Sequence, residues 1–281
     1  MRMIGNFFAH NGDFLPVSEA RISLDDINFT YGYGVYETLK ARKGLVYFPL
    51  DHIERLFHSA QIIGIEVGFK KSEIVSWVLE LVKKNGLEDC NIKILCIGAA
   101  NDKGPDIYIL CLNPLFPPRR LYRDGASLLT MEGERHFPQA KSLSMLMSAM
   151  AYRKAIAAGC YDALLINRQG QVTEGTRTNL FYLQNNMVFT PPAEQSLEGV
   201  TKHTLVSCLK NNNIEIKERT LPIGELKSVQ GLFLTSTSSK VMPVSRIDEN
   251  EIQIPELIRE IIKMYNEYLE DYRNSTLSFR R

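Results

Sequence analysis

The chain has 281 residues, 44% of them hydrophobic and 23% charged, which is enough for two domains that each bury an apolar core. Its 33 Lys and Arg nearly balance its 32 Asp and Glu, and no long run of one sign occurs, which argues against nucleic acid or an anionic membrane as a partner. Five scattered cysteines without a C-x-x-C pair indicate neither a disulfide framework nor a zinc site.

The first residues, MRMIGNFFAH, lack the apolar run and cleavage site of a secretory signal. No later stretch has the length of apolar sequence that a membrane-spanning helix needs. Together with the odd number of cysteines, these features predict a cytoplasmic protein.

A first strand is predicted from Gly34 to Lys40, where the residues alternate in character. The alternation puts Tyr36, Thr38 and Lys40 on one face of that strand. An amphipathic helix should follow, with Asp51 as its N-cap. A second helix over 72–85 and two paired strands, 92–98 and 107–112, complete the predicted first domain.

A linker is predicted at 113–120, NPLFPPRR, because prolines cannot continue a helix or a central strand. This divides the chain into domains 1–118 and 119–281, and the second domain mixes helices with hairpin-linked strands. Its predicted elements are a strand at 126–131, a helix at 142–158, strands at 162–167, 171–183 and 231–235, a helix after Gly199, and a C-terminal helix over 255–272.

Lys141 lies at an element junction, after a Pro-containing extended stretch and before a helix rich in Leu, Met and Ala. A lysine that loses solvent at such a junction can become a nucleophile toward an aldehyde, as a Schiff base requires. Without other residues to support it, the sequence around Lys141 is more typical of a surface lysine than of a Schiff-base lysine.

Glu174 is the only charged residue before Arg177 in the strand-like segment VTEGTRTNLFYL. A carboxylate buried in such a strand costs free energy unless it has a cationic partner. That partner could be a protonated pyridine nitrogen. A nearby carboxylate keeps this nitrogen protonated, so that the pyridine ring can accept electrons. The alternatives are an ion pair with Arg177 or exposure to solvent.

Three segments could hold a phosphate, each by a different kind of group. Gly199, Val200 and Thr201 open a helix whose N–H groups suit an anion. The turn 236–239 offers hydroxyl and N–H groups, and Arg55 offers a guanidinium off the apolar stripe of its helix. Singly, these are a helix cap, a polar loop and a solvated arginine.

In this order the segments resemble the class IV aminotransferase family, the fold-type IV pyridoxal-phosphate enzymes. The family includes branched-chain and D-amino acid aminotransferases and aminodeoxychorismate lyases, and the resemblance covers about 29–244. Its most specific stretches are YGYGVYETLKARKG, DHIERLFHSA, KSLSMLMSAMAYRKA, VTEGTRTNLFYL, LEGVTKHTL and TSTSSKVMPV.

The resemblance implies an α/β (α+β) fold of two domains, with a smaller N-terminal α/β domain and a larger C-terminal domain that holds a barrel-like sheet. It implies pyridoxal 5′-phosphate as the cofactor, Lys141 as the Schiff-base lysine and proton shuttle, and Glu174 as the partner of the pyridine nitrogen. The implied phosphate ligands are Arg55, Gly199, Val200, Thr201, Ser236 and Thr237. The implied substrate-binding residues are Tyr31, Tyr36, Thr38, Lys40, Lys93 and Ser238.

Two departures from the family bear on the substrate. The loop AANDKGPD lacks the Arg and His with which D-amino acid aminotransferases hold a carboxylate, which disfavours D-specificity. Asn91 and Lys93 stand where branched-chain enzymes have a tyrosine and an arginine, which leaves that specificity open. The resulting prediction is an aminotransferase for amino acids and 2-oxo acids, most similar to the branched-chain enzymes, with aminodeoxychorismate lyase as the alternative.

Motifs of other enzyme classes are lacking in the sequence. Gly32-x-Gly34 has no third glycine of a dinucleotide fingerprint, neither G-x-S-x-G nor H-E-x-x-H occurs, and no metal site is predicted. A D-amino acid aminotransferase and a cofactor-binding protein without turnover are less favoured alternatives. By resemblance, the protein should be a homodimer.

Overall fold

The computed structural model describes residues 2–98 and 104–278, and it divides into two compact units. Unit 1 comprises Met1–Leu115 and Ala140–Met145, and unit 2 comprises Phe116–Gln139 and Leu146–Arg281. The predicted division at 118/119 is simpler than this one, because 140–145 belongs to unit 1 although the rest of 119–281 belongs to unit 2. The loop AANDKGPD lies largely outside the described residues.

Unit 1 is built on a six-stranded antiparallel sheet in the order β2-β1-β6-β5-β3-β4. The predicted strands at 92–98 and 107–112 are present and paired with each other. The strands are β1 (Phe7–His10), β2 (Asp13–Pro16), β3 (Gly34–Arg42), β4 (Leu45–Val46), β5 (Cys90–Ile97) and β6 (Asp106–Leu112).

The core of unit 1 lies between one face of this sheet and two helices, α2 (Pro49–Ile62) and α3 (Lys71–Lys84). A short helix, α1 (Ile27–Thr30), precedes β3, and a 3₁₀ turn spans Val17–Glu19. Alternate residues of β3 point toward the helices, so that Val35, Glu37 and Leu39 are buried while Tyr36 and Thr38 remain half-buried on the other face.

The predicted N-cap of α2 is wrong by three residues. The N-cap is Phe48, in a left-handed conformation, and Pro49 follows at the start of the helix. Pro49 suits that position because its fixed φ is already helical and its missing N–H would have no partner in the first turn. Asp51 therefore lies inside the first turn, where its charge favours the helix dipole.

The segment around Lys141 is not helical, contrary to the predicted helix at 142–158. Helix α5 begins at Leu146 and ends at Ala157. The preceding residues pair with β3: Tyr36 N–H donates to Lys141 O at 2.9 Å, Leu143 N–H donates to Gly34 O at 2.8 Å, and Val35 bridges Ser142. These bonds replace the ones that a longer helix would have made.

Unit 2 contains a ten-stranded sheet in which six strands close into a ring, β9-β10-β14-β15-β7-β8. This is the predicted barrel-like sheet. The strands are β7 (Ala126–Glu132), β8 (Asp162–Ile166), β9 (Gln171–Gly175), β10 (Asn179–Gln184), β11 (Met187–Thr190), β12 (Ile216–Glu218), β13 (Leu221–Pro222), β14 (Gly231–Ser236), β15 (Lys240–Ile247) and β16 (Asn250–Glu251).

The single strand predicted for 171–183 is two strands, β9 and β10, separated by a turn. The turn follows Gly175, and the hydroxyls of Thr176 and Thr178 in it both donate to Asp162. The remaining helices of unit 2 are α4 (Arg119–Asp124), α5, α6 (Val200–Asn211) and α7 (Glu256–Ser278), with 3₁₀ turns at Ala193–Gln195 and Ile223–Ser228.

Within the described ranges, none of the helices combines the length and the apolar character needed to cross a membrane.

Candidate active site

The candidate site residues fall into two sets, one in each unit. Lys141, Arg55, Tyr36, Thr38, Lys40, Lys93 and Tyr31 belong to unit 1. Glu174, Gly199, Val200, Thr201, Ser236, Thr237 and Ser238 belong to unit 2.

In unit 1, Lys141 lies over the ring of Tyr36. Its Nζ is 4.6 Å from the ring centroid, and the Nζ of Lys93 is 5.3 Å from the same centroid. The Tyr36 hydroxyl reaches Met145 Sδ at 3.6 Å, so the ring is held from the segment that carries the lysine. Three predicted residues are thus brought together on one aromatic ring.

The backbone of Lys141 is fixed on two sides. Its carbonyl accepts from Tyr36 on β3, and its N–H donates to Ser59 Oγ on α2 at 3.0 Å. Ser59 is fully buried, so this hydroxyl is shielded from water. The contact explains how a non-helical segment holds one lysine in a defined position.

The sheet face that carries Tyr36 also carries three other predicted substrate residues, Thr38, Lys40 and Lys93. Thr38 pairs with Lys93, and Lys40 pairs with Asn91, so each pair shares one face. Lys40 is buried, and its Nζ lies 3.5 Å from Leu115 O. Asn91 is buried as well, and its side-chain amide has no hydrogen-bond partner among the described residues. A polar ligand group would satisfy that amide.

Tyr31 is the predicted residue that least fits this group. It follows α1, and 79% of its surface is exposed.

Arg55 lies on α2 and forms a buried ion pair. Its Nε donates to Glu37 Oε1 at 2.7 Å and its Nη2 to Glu37 Oε2 at 2.8 Å. His52 adds a third contact, from Nδ1 to Glu37 Oε2 at 2.8 Å. Burial opposes ionisation of Glu37, but Arg55 and His52 together hold the pKa of this carboxyl well below its usual range.

In unit 2, Glu174 is buried at the end of β9 and is paired with Arg135, not with Arg177. Arg135 Nε donates to Glu174 Oε1 at 2.8 Å, and its Nη2 also bonds to Pro138 O. Arg177 instead stacks on Tyr152, with its guanidinium carbon 3.7 Å from the ring centroid. The cationic partner expected for Glu174 is present, but it comes from a different part of the chain.

Glu174 is linked to the start of α6 through a short chain of hydrogen bonds. Its Oε2 accepts from Leu197 N–H at 3.2 Å, while Leu197 O accepts from Asn179 Nδ2 at 2.6 Å. Asn179 lies directly across the sheet from Glu174. These bonds fix the backbone of Leu197, two residues before Gly199.

Helix α6 begins with N–H groups that no side chain caps, and Val200 and Thr201 are both buried there. Gly199 is required for packing: a Cβ at this position would overlap Asn179 Oδ1. Asn179 occupies the space that a side chain at this position would need. The uncapped N–H groups retain the capacity to bind an anion.

The turn after β14 carries the remaining predicted residues. Ser236 Oγ accepts from Ser239 N–H at 3.1 Å and lies 2.6 Å from Ser239 Oγ, so its hydroxyl closes the turn. Thr237 and Ser238 form the half-buried tip. Next to them, Thr235 pairs across the sheet with Asn179, and its buried Oγ1 has no hydrogen-bond partner in the described ranges.

Several of these residues escaped the sequence reasoning, namely Glu37, His52, Ser59, Arg135, Asp162, Asn179 and Thr235. A signal existed for Glu37, because its carboxyl group lies between Val35 and Leu39 on the apolar face of the predicted strand. Arg135 and Ser59 act across 39 and 82 residues of chain, a separation that local patterns do not reveal.

Comparison with known proteins identifies the class of this fold and site. The family model described as amino-transferase class IV matches residues 34–247. A Methanocaldococcus jannaschii protein assigned as a branched-chain-amino-acid aminotransferase is 33% identical over 94% of this chain and 95% of its own length. A D-alanine aminotransferase of Bacillus licheniformis is 31% identical over 86% of this chain and 88% of its own.

Solved structures give the same assignment. The T.th. branched-chain amino acid aminotransferase with pyridoxamine 5′-phosphate has a TM-score of 0.87, with 25% identity over 96% of this chain and 94% of that one. The enzyme of Thermoproteus uzoniensis with norvaline has a TM-score of 0.85, with 26% identity over 93% and 94%. The chain belongs to the class IV aminotransferase family. Its cofactor is pyridoxal 5′-phosphate.

The side chains present suit this cofactor. An amine that can bind an aldehyde, Lys141, is held in unit 1 near an aromatic ring. Unit 2 offers a buried carboxylate, Glu174, together with the uncapped N–H groups of α6 and the Thr235 hydroxyl that has no partner in the described part of the chain. An amine, a carboxylate and phosphate-binding donors are the groups that this cofactor requires.

Proposed function

We propose that the protein transfers an amino group between L-amino acids with branched aliphatic side chains and a 2-oxo acid. Similarity to the Methanocaldococcus jannaschii protein over nearly the whole of both chains supports the branched-chain assignment. The loop AANDKGPD, which lacks the Arg and His of D-amino acid aminotransferases, supports L-specificity.

The observation that carries the proposal is the position of Lys141. A segment that could have extended α5 is instead paired with β3, and its lysine lies 4.6 Å from the centre of the Tyr36 ring. A surface lysine would not need a backbone fixed by both Tyr36 and the buried Ser59. The fixed backbone suits a lysine that must bind a cofactor and then move a proton at a defined place.

Lys141, Glu174 and Arg135 have different roles in the proposed reaction. Lys141 Nζ holds the cofactor covalently between turnovers and removes the proton from the substrate Cα. Glu174 keeps a proton on the pyridine nitrogen, and Arg135 holds the Glu174 carboxylate by its Oε1 atom. Bound pyridoxal phosphate supplies an electron sink for the breaking Cα–H bond.

Each unit offers groups that suit a phosphate. Unit 2 offers the N–H groups of Val200 and Thr201 at the start of α6 and the donors of the Ser236–Thr237 turn, and unit 1 offers the positive charge of Arg55. Gly199 lets the start of the helix approach Asn179 closely, because a Cβ at this position would overlap Asn179 Oδ1.

The substrate side chain lies on the face of the unit 1 sheet that carries Tyr36. Thr38, Lys40 and Lys93 share this face. In unit 2, Ser238 at the tip of its turn is a further candidate for substrate binding. Tyr31, which is mostly exposed, is the weakest member of the set.

We also infer a homodimer in the cytoplasm. Support for the dimer comes from exposed apolar side chains clustered in one segment of unit 1, where Leu24 is 96% exposed. Ile27 and Phe29 are about half exposed in the same segment. Support for the cytoplasm comes from five buried cysteines that all remain free thiols.

A donor panel tests the proposed function. Purified protein should form glutamate from 2-oxoglutarate when L-leucine, L-isoleucine or L-valine is the amino donor. The kcat/KM for each of these donors should be at least about tenfold higher than that for D-alanine. Faster turnover of D-alanine would contradict L-specificity. Release of pyruvate from aminodeoxychorismate without any 2-oxo acid would instead identify the lyase.

A further inference from the structure

Glu37 is a fully buried carboxylate that the proposed function does not use. It lies in the middle of β3 and points toward α2, between the apolar neighbours Val35 and Leu39. An ionised group at such a position costs free energy unless it is paired and hydrogen-bonded. Its presence in the core therefore calls for a specific partner.

That partner is Arg55, and the contact uses one edge of the guanidinium. Nε and Nη2 donate to the two oxygens of Glu37 at 2.7 and 2.8 Å. A guanidinium is planar, so a carboxylate on this edge directs the opposite end of the group away from it. Only that end of Arg55 can then meet a phosphate.

His52 holds Glu37 from a second direction. Its Nδ1 lies 2.8 Å from Glu37 Oε2, and its side chain is 2% exposed. Burial lowers the pKa of His52, so the neutral ring donates its Nδ1 hydrogen to the carboxylate. The carboxylate thus accepts bonds on both oxygens and cannot rotate without breaking at least one.

We propose that Glu37, supported by His52, is a positioning residue that fixes the guanidinium of Arg55 for the phosphate of pyridoxal 5′-phosphate. The inference rests on the proposed role of Arg55 as a phosphate ligand. Glu37 touches neither substrate nor cofactor and acts through Arg55. A long arginine side chain otherwise loses conformational freedom when it binds, and the ion pair removes that freedom beforehand.

A comparison of two ligands tests the proposal. Pyridoxal and pyridoxal 5′-phosphate bind the same lysine and differ in the phosphate alone. Apoprotein is titrated with each, and the visible band of the bound ligand gives both dissociation constants. Glu37→Gln should raise the dissociation constant of pyridoxal 5′-phosphate about tenfold and change that of pyridoxal by no more than about twofold. The reason is that the charged hydrogen-bond network lost in this variant holds Arg55, which contacts the phosphate group alone.

Arg55→Lys separates the inference from the proposed function. If Arg55 binds the phosphate, this variant also lowers the preference for the phosphorylated ligand, and adding Glu37→Gln to it should lower the preference no further. A preference unchanged in Arg55→Lys would refute the phosphate role itself. A preference lowered in Arg55→Lys but not in Glu37→Gln would refute the positioning role alone.

Two further variants serve as a control and as a replacement for Glu37→Gln. Glu54→Gln is the matched control, because Glu54 is a neighbour of Arg55 on α2, is exposed, and pairs with Lys71 instead; it should change neither constant. If Glu37→Gln does not fold, His52→Gln replaces it and should lower the preference in the same direction. Equal weakening of both ligands in either variant would mean a merely structural role and overturn the proposal.

Discussion

Two buried carboxylates, one in each unit, are stabilised in opposite ways. Glu37 in unit 1 is paired with the cation Arg55, and this pairing outweighs burial, so the pKa of Glu37 is lowered. Asp162 in unit 2 accepts hydrogen bonds from Thr176, Thr178 and its neighbour's backbone N–H. Burial outweighs these bonds, and the pKa of Asp162 is raised.

The difference shows how each unit holds its own candidate residues. Unit 1 orients charged side chains, Arg55 and Lys141, which stand on or beside regular elements. Unit 2 orients a turn, and Asp162 holds the residues just after Glu174 by their hydroxyls. An ion pair suits the first task and a set of hydroxyl and N–H donors around one carboxyl suits the second, because a turn needs several donors held at once.

The largest expected effect comes from breaking the ion pair of unit 1. Glu37→Gln should lower the free energy of unfolding by about 3 kcal/mol at neutral pH, because it leaves a buried guanidinium without its carboxylate. Since the folded pKa lies below the ordinary value of 4.5, the contribution of Glu37 is present above pH 4.5 and is lost as the pH falls. Urea unfolding at several pH values would measure a gap to the wild type that narrows below pH 4.5.

A gap that stays constant across that range would show that Glu37 is not ionised in the folded protein. Glu54→Gln on the same helix provides the reference for loss of an exposed carboxylate.

The second effect comes from the network of unit 2. Asp162→Asn should cost about 2 kcal/mol, because the amide nitrogen cannot accept from the buried threonine hydroxyls. The sign of the pH dependence is opposite to that of Glu37. Because the pKa of Asp162 is raised in the folded state, the folded protein retains this proton to a higher pH than the unfolded chain does, and wild-type stability falls as the pH rises above 3.8. The gap between wild type and Asp162→Asn should therefore narrow with rising pH.

Asp271→Asn, an exposed change on α7, serves as the control for this measurement. A gap that widens with rising pH would mean that Asp162 is stabilised as an anion, like Glu37, and the contrast between the units would fail.

The smallest expected effect concerns the backbone of Lys141. Ser59→Ala removes the acceptor of its N–H and should lower the free energy of unfolding by about 1 kcal/mol. Ser72→Ala, at an exposed position on α3, should cost less. Equal effects of the two changes would indicate that the bond from Lys141 to Ser59 contributes nothing.

The sequence allowed much of the fold to be predicted where a pattern is local. Alternation identified β3 and the face that carries Tyr36, and Gly199 marked the start of α6. The predicted helix at 142–158 began too early because propensity cannot register that Lys141 and Leu143 bond to β3, more than a hundred residues away. Glu174 was recognised as needing a cation, but Arg135 could be found only in three dimensions.

The covalent link between Lys141 and the cofactor is the central claim, and visible absorption tests it most directly. Wild-type protein incubated with pyridoxal 5′-phosphate and then freed of unbound ligand should keep a visible band, and borohydride should fix the label on Lys141. Lys141→Ala should lose the band and the label, while Lys154→Ala, an exposed change on α5, should keep both. A Lys141→Ala protein that retains the wild-type band, or a wild type labelled at another lysine, would contradict the account.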